Sequence, residues 1–125
     1  MKFYRFMRMS EFSALTAGVE LVNNRNYALH AHTDSVGFCF FTADSRAKAF
    51  NAYDFLMGIV ARDVLVEFEA DPAMFTKSVG VYADPYSDWD MCVDEYCTTH
   101  YSLDNCTPVA YGVFDVFGCD WYEFR

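Results

Sequence analysis

Between Asp84 and Phe124 the chain has no lysine and no arginine. A surface built from that segment repels nucleic acid and membrane faces, both of which are anionic, so direct binding to either is not expected. Proline is scarce (Pro72, Pro85 and Pro108), and no Pro-, Gly- or Ser-rich linker or repeat divides the 125 residues. One domain is the expectation for that length. No apolar run approaches the roughly 20 residues of a membrane span. The opening Met1-Lys2-Phe3-Tyr4-Arg5-Phe6-Met7-Arg8 scatters cations among aromatics and lacks the apolar segment of a secretory signal. A cytosolic protein is therefore expected. The familiar reaction motifs are missing as well. There is no G-x-S-x-G elbow, no Walker loop and no G-x-G-x-x-G.

What the chain does have is aromatic surface to bury. Thirteen Phe, nine Tyr and two Trp bring the aromatic fraction to 19%, and each buried ring removes on the order of 150–250 Å² from water. Such a chain folds despite its charge of −9. The five cysteines, Cys39, Cys92, Cys97, Cys106 and Cys119, are odd in number. Without an export signal, reduced thiols are expected. Cys39, inside Gly37-Phe38-Cys39-Phe40-Phe41, reads as a small core residue.

The charge is unevenly spread. Residues 1–83 hold nine acids and eight bases, a balance of −1, whereas residues 84–125 hold nine acids and one base, a balance of −8. A field of that sign attracts cationic proteins and speeds encounter with them. Equally, it is what a solvated surface that only promotes solubility would show.

Lys2–Met7 reads as a strand. Ser10 is placed to cap a short helix with Glu11 in its first turn and Gly18 as its stop. Val36–Thr42 is the most apolar strand, and Asp44 or Ser45 then caps a helix expected to run to Met57. Val64–Glu69 alternates as a strand with one face partly wet. Val79–Tyr82 is a short strand. Cys92–Tyr101 and Val109–Phe117 are longer ones, Gly112 suggests a bulge, and Trp121–Phe124 suggests an edge strand. Helices early and strands late indicate an α+β domain with a mostly antiparallel, curved or split sheet and two or more helices in its N-terminal half.

Several residues have the chemistry of a site. Cys92, Cys97, His100 and Cys106 are zinc-ligand types, but along a strand Cys92 and Cys97 fall on opposite faces, so no metal is expected there. His30, His32 and Asp34 share one side of an extended segment and could hold a divalent ion, but surface histidines near turns are common, so no metal is expected there either. Asp94 and Glu95 are adjacent, so a strand prevents them from acting as one dyad. Trp89, between Asp88 and Asp90, suits a binding anchor and reads at least as well as a ring folded back onto the core. With Asp84, Asp94 and Asp104, these residues make the candidate binding surface.

Phe3-Tyr4-Arg5, Ser35-Val36-Gly37-Phe38-Cys39-Phe40-Phe41 and Val93-Asp94-Glu95-Tyr96 together resemble, in order, the ADP-ribosyltransferase superfamily. The second segment is also similar to small phage-encoded anti-CRISPR proteins built on that scaffold, and the whole chain looks like proteins of phages and mobile elements. Position by position, the resemblance implies that Arg5, Ser35 and Glu95 surround the nicotinamide end of NAD. The residue two before Glu95 is Val93, where the arginine-modifying branch carries a second Glu. Outside the resemblance, Arg5 reads as a surface cation and Ser35 as a strand-entry residue.

Two functions follow. In the first, an acidic interaction protein in the host cytoplasm needs no cofactor and docks on a basic, nucleic-acid-handling host protein such as a CRISPR effector. Its carboxylates occupy Lys and Arg sites that otherwise pair with phosphates. In the alternative, an NAD-dependent transferase modifies a host target. Arg5 holds the dinucleotide, and Glu95 stabilises the cationic transition state as nicotinamide leaves.

Overall fold

The computed structural model describes residues 1–22, 38–51, 63–80, 93–115 and 118–124. Among these, strand β1 (Lys2–Met7) leads into helix α1 (Met9–Thr16), followed by β2 (Leu21–Val22), β3 (Phe38–Phe41) and helix α2 (Arg46–Asn51). Then come β4 (Val64–Ala70), a 3-10 turn (Pro72–Met74), β5 (Thr76–Gly80), β6 (Val93–Thr98), β7 (His100–Tyr101), β8 (Cys106–Asp115) and β9 (Gly118–Glu123). Seven strands form one antiparallel sheet in the order β5-β6-β3-β1-β4-β8-β9, and β2 pairs with β7 in a separate two-stranded ribbon. The protein is α+β, with both described α-helices in the N-terminal half.

The sheet is apolar on both faces because its central strands are. On one face, Phe3, Met7, Phe38, Phe40, Val64, Val66, Phe68 and Tyr96 pack with Leu15 of α1 and with Leu21 and Tyr101 of the ribbon. On the other, Tyr4, Phe6, Phe41 and Leu65 pack with Ala49 and Phe50 of α2. Neighbouring residues on a strand point to opposite faces, so β1 supplies Phe3, Arg5 and Met7 to the first face and Tyr4 and Phe6 to the second. The partly wet face expected on Val64–Glu69 is narrowed to its end: Glu69 is exposed, whereas Leu65 and Glu67 are buried on the face that α2 covers.

Helix α1 begins differently from its sequence signal. Ser10 lies inside the helix, Arg8 is the cap residue without a side-chain cap bond, and Asp63 Oδ2 accepts from the Met9 N–H at 2.9 Å. A distant carboxylate thus does the local cap's work at the positive helix end. Gly18 does end the segment as expected, at φ 82°. Ser45 Oγ accepts from the Lys48 N–H at 3.1 Å, which caps α2.

Cys92–Tyr101 is two elements where one strand was expected. β6 ends at Thr98 in the large sheet, while His100 and Tyr101 pair with Val22 and Leu21. The Thr98 hydroxyl donates to the His100 carbonyl at 2.9 Å and holds the bend between them. The irregularity of β8 is not at Gly112, which pairs in register with Leu65. It falls where Glu67 and Phe68 face Ala110 and Pro108, leaving Val109 as the extra residue. Proline has no N–H for the ladder, so a bulge is where a paired strand tolerates it. The Val109 carbonyl instead accepts from the Phe124 N–H at 2.9 Å.

Candidate functional site

The two faces of β1 and β4 each bury an ionic cluster. On the α1 face, Arg5 is 1% exposed. Its Nε and Nη2 donate to Glu11 Oε2 and Oε1, both at 2.7 Å, and its Nη1 donates to the Cys39 carbonyl at 2.9 Å. The Tyr101 hydroxyl donates to Glu11 Oε2 at 2.6 Å. The guanidinium also lies 5.1 Å from the Phe38 ring centroid and 5.7 Å from that of Phe40, within cation–π range. Burial works against the Arg5 cation, but the charge and hydrogen bonds of Glu11, with smaller help from Tyr101 and Cys39, outweigh it and favour the charged form. Burial, then the charge of Glu11, pushes the Tyr101 hydroxyl well above its ordinary value.

On the α2 face, Glu67 is also 1% exposed. Its carboxylate accepts from the Tyr4 hydroxyl at 2.7 Å and from Arg46 Nε and Nη2 at 3.2 Å each, with Lys2 Nζ 3.7 Å away. Arg46 also donates from Nη1 to Glu123 of β9 at 2.9 Å and lies 5.3 Å from the Trp121 ring centroid. Burial by itself raises the Glu67 pKa. The bonds from Arg46 and Tyr4 and the charges of Arg46 and Lys2 outweigh it and hold the carboxyl below the ordinary carboxylate range. Burial, then the bond to Glu67, pushes the Tyr4 hydroxyl well above its ordinary value. The sequence carried one signal of this cluster, a Glu at the centre of an apolar strand; its partners on α2 and β9 are remote in sequence.

The expected site residues fall as follows. Arg5 is a core residue and not a surface cation, because α1 and the β2–β7 ribbon close over it and supply Glu11 and Tyr101. Its Nε, Nη1 and Nη2 donate to protein acceptors, and the Phe38 and Phe40 rings flank the guanidinium. Glu95 of β6 stands in register with Phe41, which stands in register with Tyr4. Arg5 is the residue after Tyr4 on β1, one register position from the row of Glu95. Asp94 lies next to Glu95 on β6, in register with Val79. Ser35, Asp84, Asp88, Trp89 and Asp90 lie outside the described residues, as do His30, His32, Asp34 and Cys92. Asp104 is exposed in the turn between β7 and β8, where its N–H donates to Ser102 Oγ at 3.2 Å.

Four of the six described Lys and Arg side chains pair with acids of the first 83 residues. Arg5 pairs with Glu11, Arg46 and Lys2 with Glu67, Lys48 with Asp44, and the N-terminal amine with Glu69. A single described pair, Arg46–Glu123, crosses to the C-terminal third. Asp104 and Asp120 are exposed and in no ion pair among the described residues. Asp120 and Glu123 both lie on β9, an outer strand of the sheet, beside the exposed ring of Tyr122.

Among the described residues no three His, Cys, Asp or Glu side chains come together as a metal site, and no helix is long and apolar enough to cross a membrane. No protein-family model matches the chain, and neither the curated proteins nor the solved structures compared with it include a match.

Proposed function

We propose that this chain is an acidic interaction protein that docks on a basic, nucleic-acid-handling host protein and blocks its nucleic-acid site, in the manner of a phage or mobile-element inhibitor of a CRISPR effector. The observation that carries the reading is the charge asymmetry, nine acids and one base in residues 84–125. The pairing of Arg5, Lys2, Arg46 and Lys48 with acids of residues 1–83 supports it, although Arg46 also reaches Glu123. Carboxylates at the surface offer Lys and Arg side chains the same charge-assisted bonds that phosphates do. Attraction of this kind acts over about 8–10 Å at ordinary salt, so it guides encounter before contact. The β9 edge adds directional chemistry. Asp120 supplies exposed charge and Tyr122 supplies an exposed ring.

The test is competition for nucleic acid. The protein is titrated into a guide-loaded CRISPR nuclease holding a labelled target duplex, at several salt concentrations. The proposal expects displacement of the duplex that weakens as salt rises. Inhibition that leaves the duplex bound at every salt concentration would contradict it.

A further inference from the structure

Cys39 and Cys97 are cross-strand partners. They occupy the same register position on β3 and β6, and their sulfurs are 3.4 Å apart. Directly opposed residues of an antiparallel pair have Cα atoms about 4.5–5.5 Å apart, inside the roughly 4.4–6.8 Å that a disulfide spans. Bond formation brings the sulfurs from 3.4 Å to about 2.05 Å. Both residues are half-buried, so a small reagent reaches them, whereas Cys106 is fully buried against the Met74 sulfur.

The pair is also held in place. Arg5 Nη1 bonds the Cys39 carbonyl at 2.9 Å, which fixes the β3 backbone at this position. On the next row Phe40 stands opposite Tyr96, and on the row before it Phe38 stands opposite Thr98. Strand order separates this pair from the other described cysteines. Cys106 and Cys119 lie on β8 and β9, with β1 and β4 between them and β3.

We propose that Cys39 and Cys97 form a dithiol site that closes to a disulfide by exchange with a low-molecular-weight disulfide such as oxidised glutathione. One thiolate attacks a glutathione sulfur, forming a mixed disulfide and releasing one glutathione thiolate. The second cysteine thiolate attacks the protein-side sulfur of that mixed disulfide and releases the second glutathione. The protein thereby loses two protons and two electrons, and one oxidised glutathione becomes two reduced ones. The new bond ties β3 to β6 across 58 residues of chain, a loop long enough for the link to restrict the unfolded chain substantially. The site is independent of the inhibitor reading, since it concerns the sheet and not the acidic surface.

The experiment incubates the native protein with excess oxidised glutathione, quenches with an alkylating reagent, and combines intact mass with non-reducing peptide mapping. The expected result is a loss of two hydrogens, a peptide joining Cys39 to Cys97, and a thermal midpoint higher than that of the reduced protein. Cys39→Ser and Cys97→Ser should each abolish the cross-link. Mapping of the wild-type protein decides the matter even if a serine variant does not fold. Full alkylation of both thiols, a glutathione adduct that persists on one of them, or a cross-link to a different cysteine overturns the proposal. A urea-unfolded control should give scrambled links, which separates native proximity from chance pairing.

Discussion

Arg5 and Glu11 lie six residues apart and form a two-pronged ion pair, with both N–H···O distances 2.7 Å, inside the core between β1 and α1. Removing one member of such a pair strands the other charge without water. Glu11→Gln should therefore destabilise the fold by about 3–5 kcal/mol, measured by denaturant unfolding. Replacing both residues with apolar ones of similar size should cost less than Glu11→Gln alone. A Glu11→Gln penalty under about 1 kcal/mol would show that solvent reaches the pair.

The Glu67 cluster sets an acid limit on stability. The folded carboxyl titrates below the ordinary range, so it strengthens the fold above the unfolded value of about 4.3. That contribution is lost as pH falls from there through the lower folded value. Glu67→Gln should flatten the dependence of unfolding free energy on pH below about 5. An acid limb of unchanged slope would contradict the assignment.

An alkaline limb should follow from groups shifted the other way. Burial pushes the Cys106 thiol up to about 12, and Tyr4 and Tyr101 titrate well above their ordinary values. Each contributes fully below its unfolded value, about 8.5 for cysteine and 10 for tyrosine. Each contribution is lost as pH rises from there through the folded value. Tyr4→Phe should remove part of the loss above about pH 10 and leave the acid limb's direction unchanged. The same alkaline loss in wild type and Tyr4→Phe would contradict the Tyr4 assignment.

Gly112 makes room for its neighbour strand. A methyl group at this position would lie 2.2 Å from the Cys119 sulfur and 3.3 Å from the Trp121 ring. Gly112→Ala should cost about 1–3 kcal/mol of stability through overpacking, and Cys119→Ala in the same chain should recover part of it. A Gly112→Ala protein as stable as wild type would mean that β9 shifts without cost.

Local patterns carried the parts of the fold that depend on neighbours in sequence. Lys2–Met7 is legible because its residues are strand formers between polar punctuation, and Gly18 because a positive φ favours glycine. What stayed hidden depends on distant partners. Asp63 caps α1 from the start of β4, so the Ser10 signal misled. Pro108 locally argues against a paired strand, yet it is accommodated by a bulge that only the pairing of β4 with β8 creates. Arg5 reads as a surface cation because nothing local shows that Tyr101, far along the chain, will close over it. The charge asymmetry was fully legible, being a count; the commitment of the cations to early acids was not, since it is a matter of contacts.

The acidic surface is tested most directly by association rate against ionic strength. Asp104 and Asp120 are exposed, so reversing both to Lys should change stability by no more than about 0.5 kcal/mol each. The double variant raises the net charge from −9 to −5. Wild type and variant are compared by stopped-flow binding to a guide-loaded CRISPR nuclease that the native chain inhibits. The account predicts a wild-type rate that falls steeply with salt, and a variant that is slower at low salt with a flatter dependence. Equal rates with equal salt dependence would reduce the charge to a solubility device and contradict the proposed function.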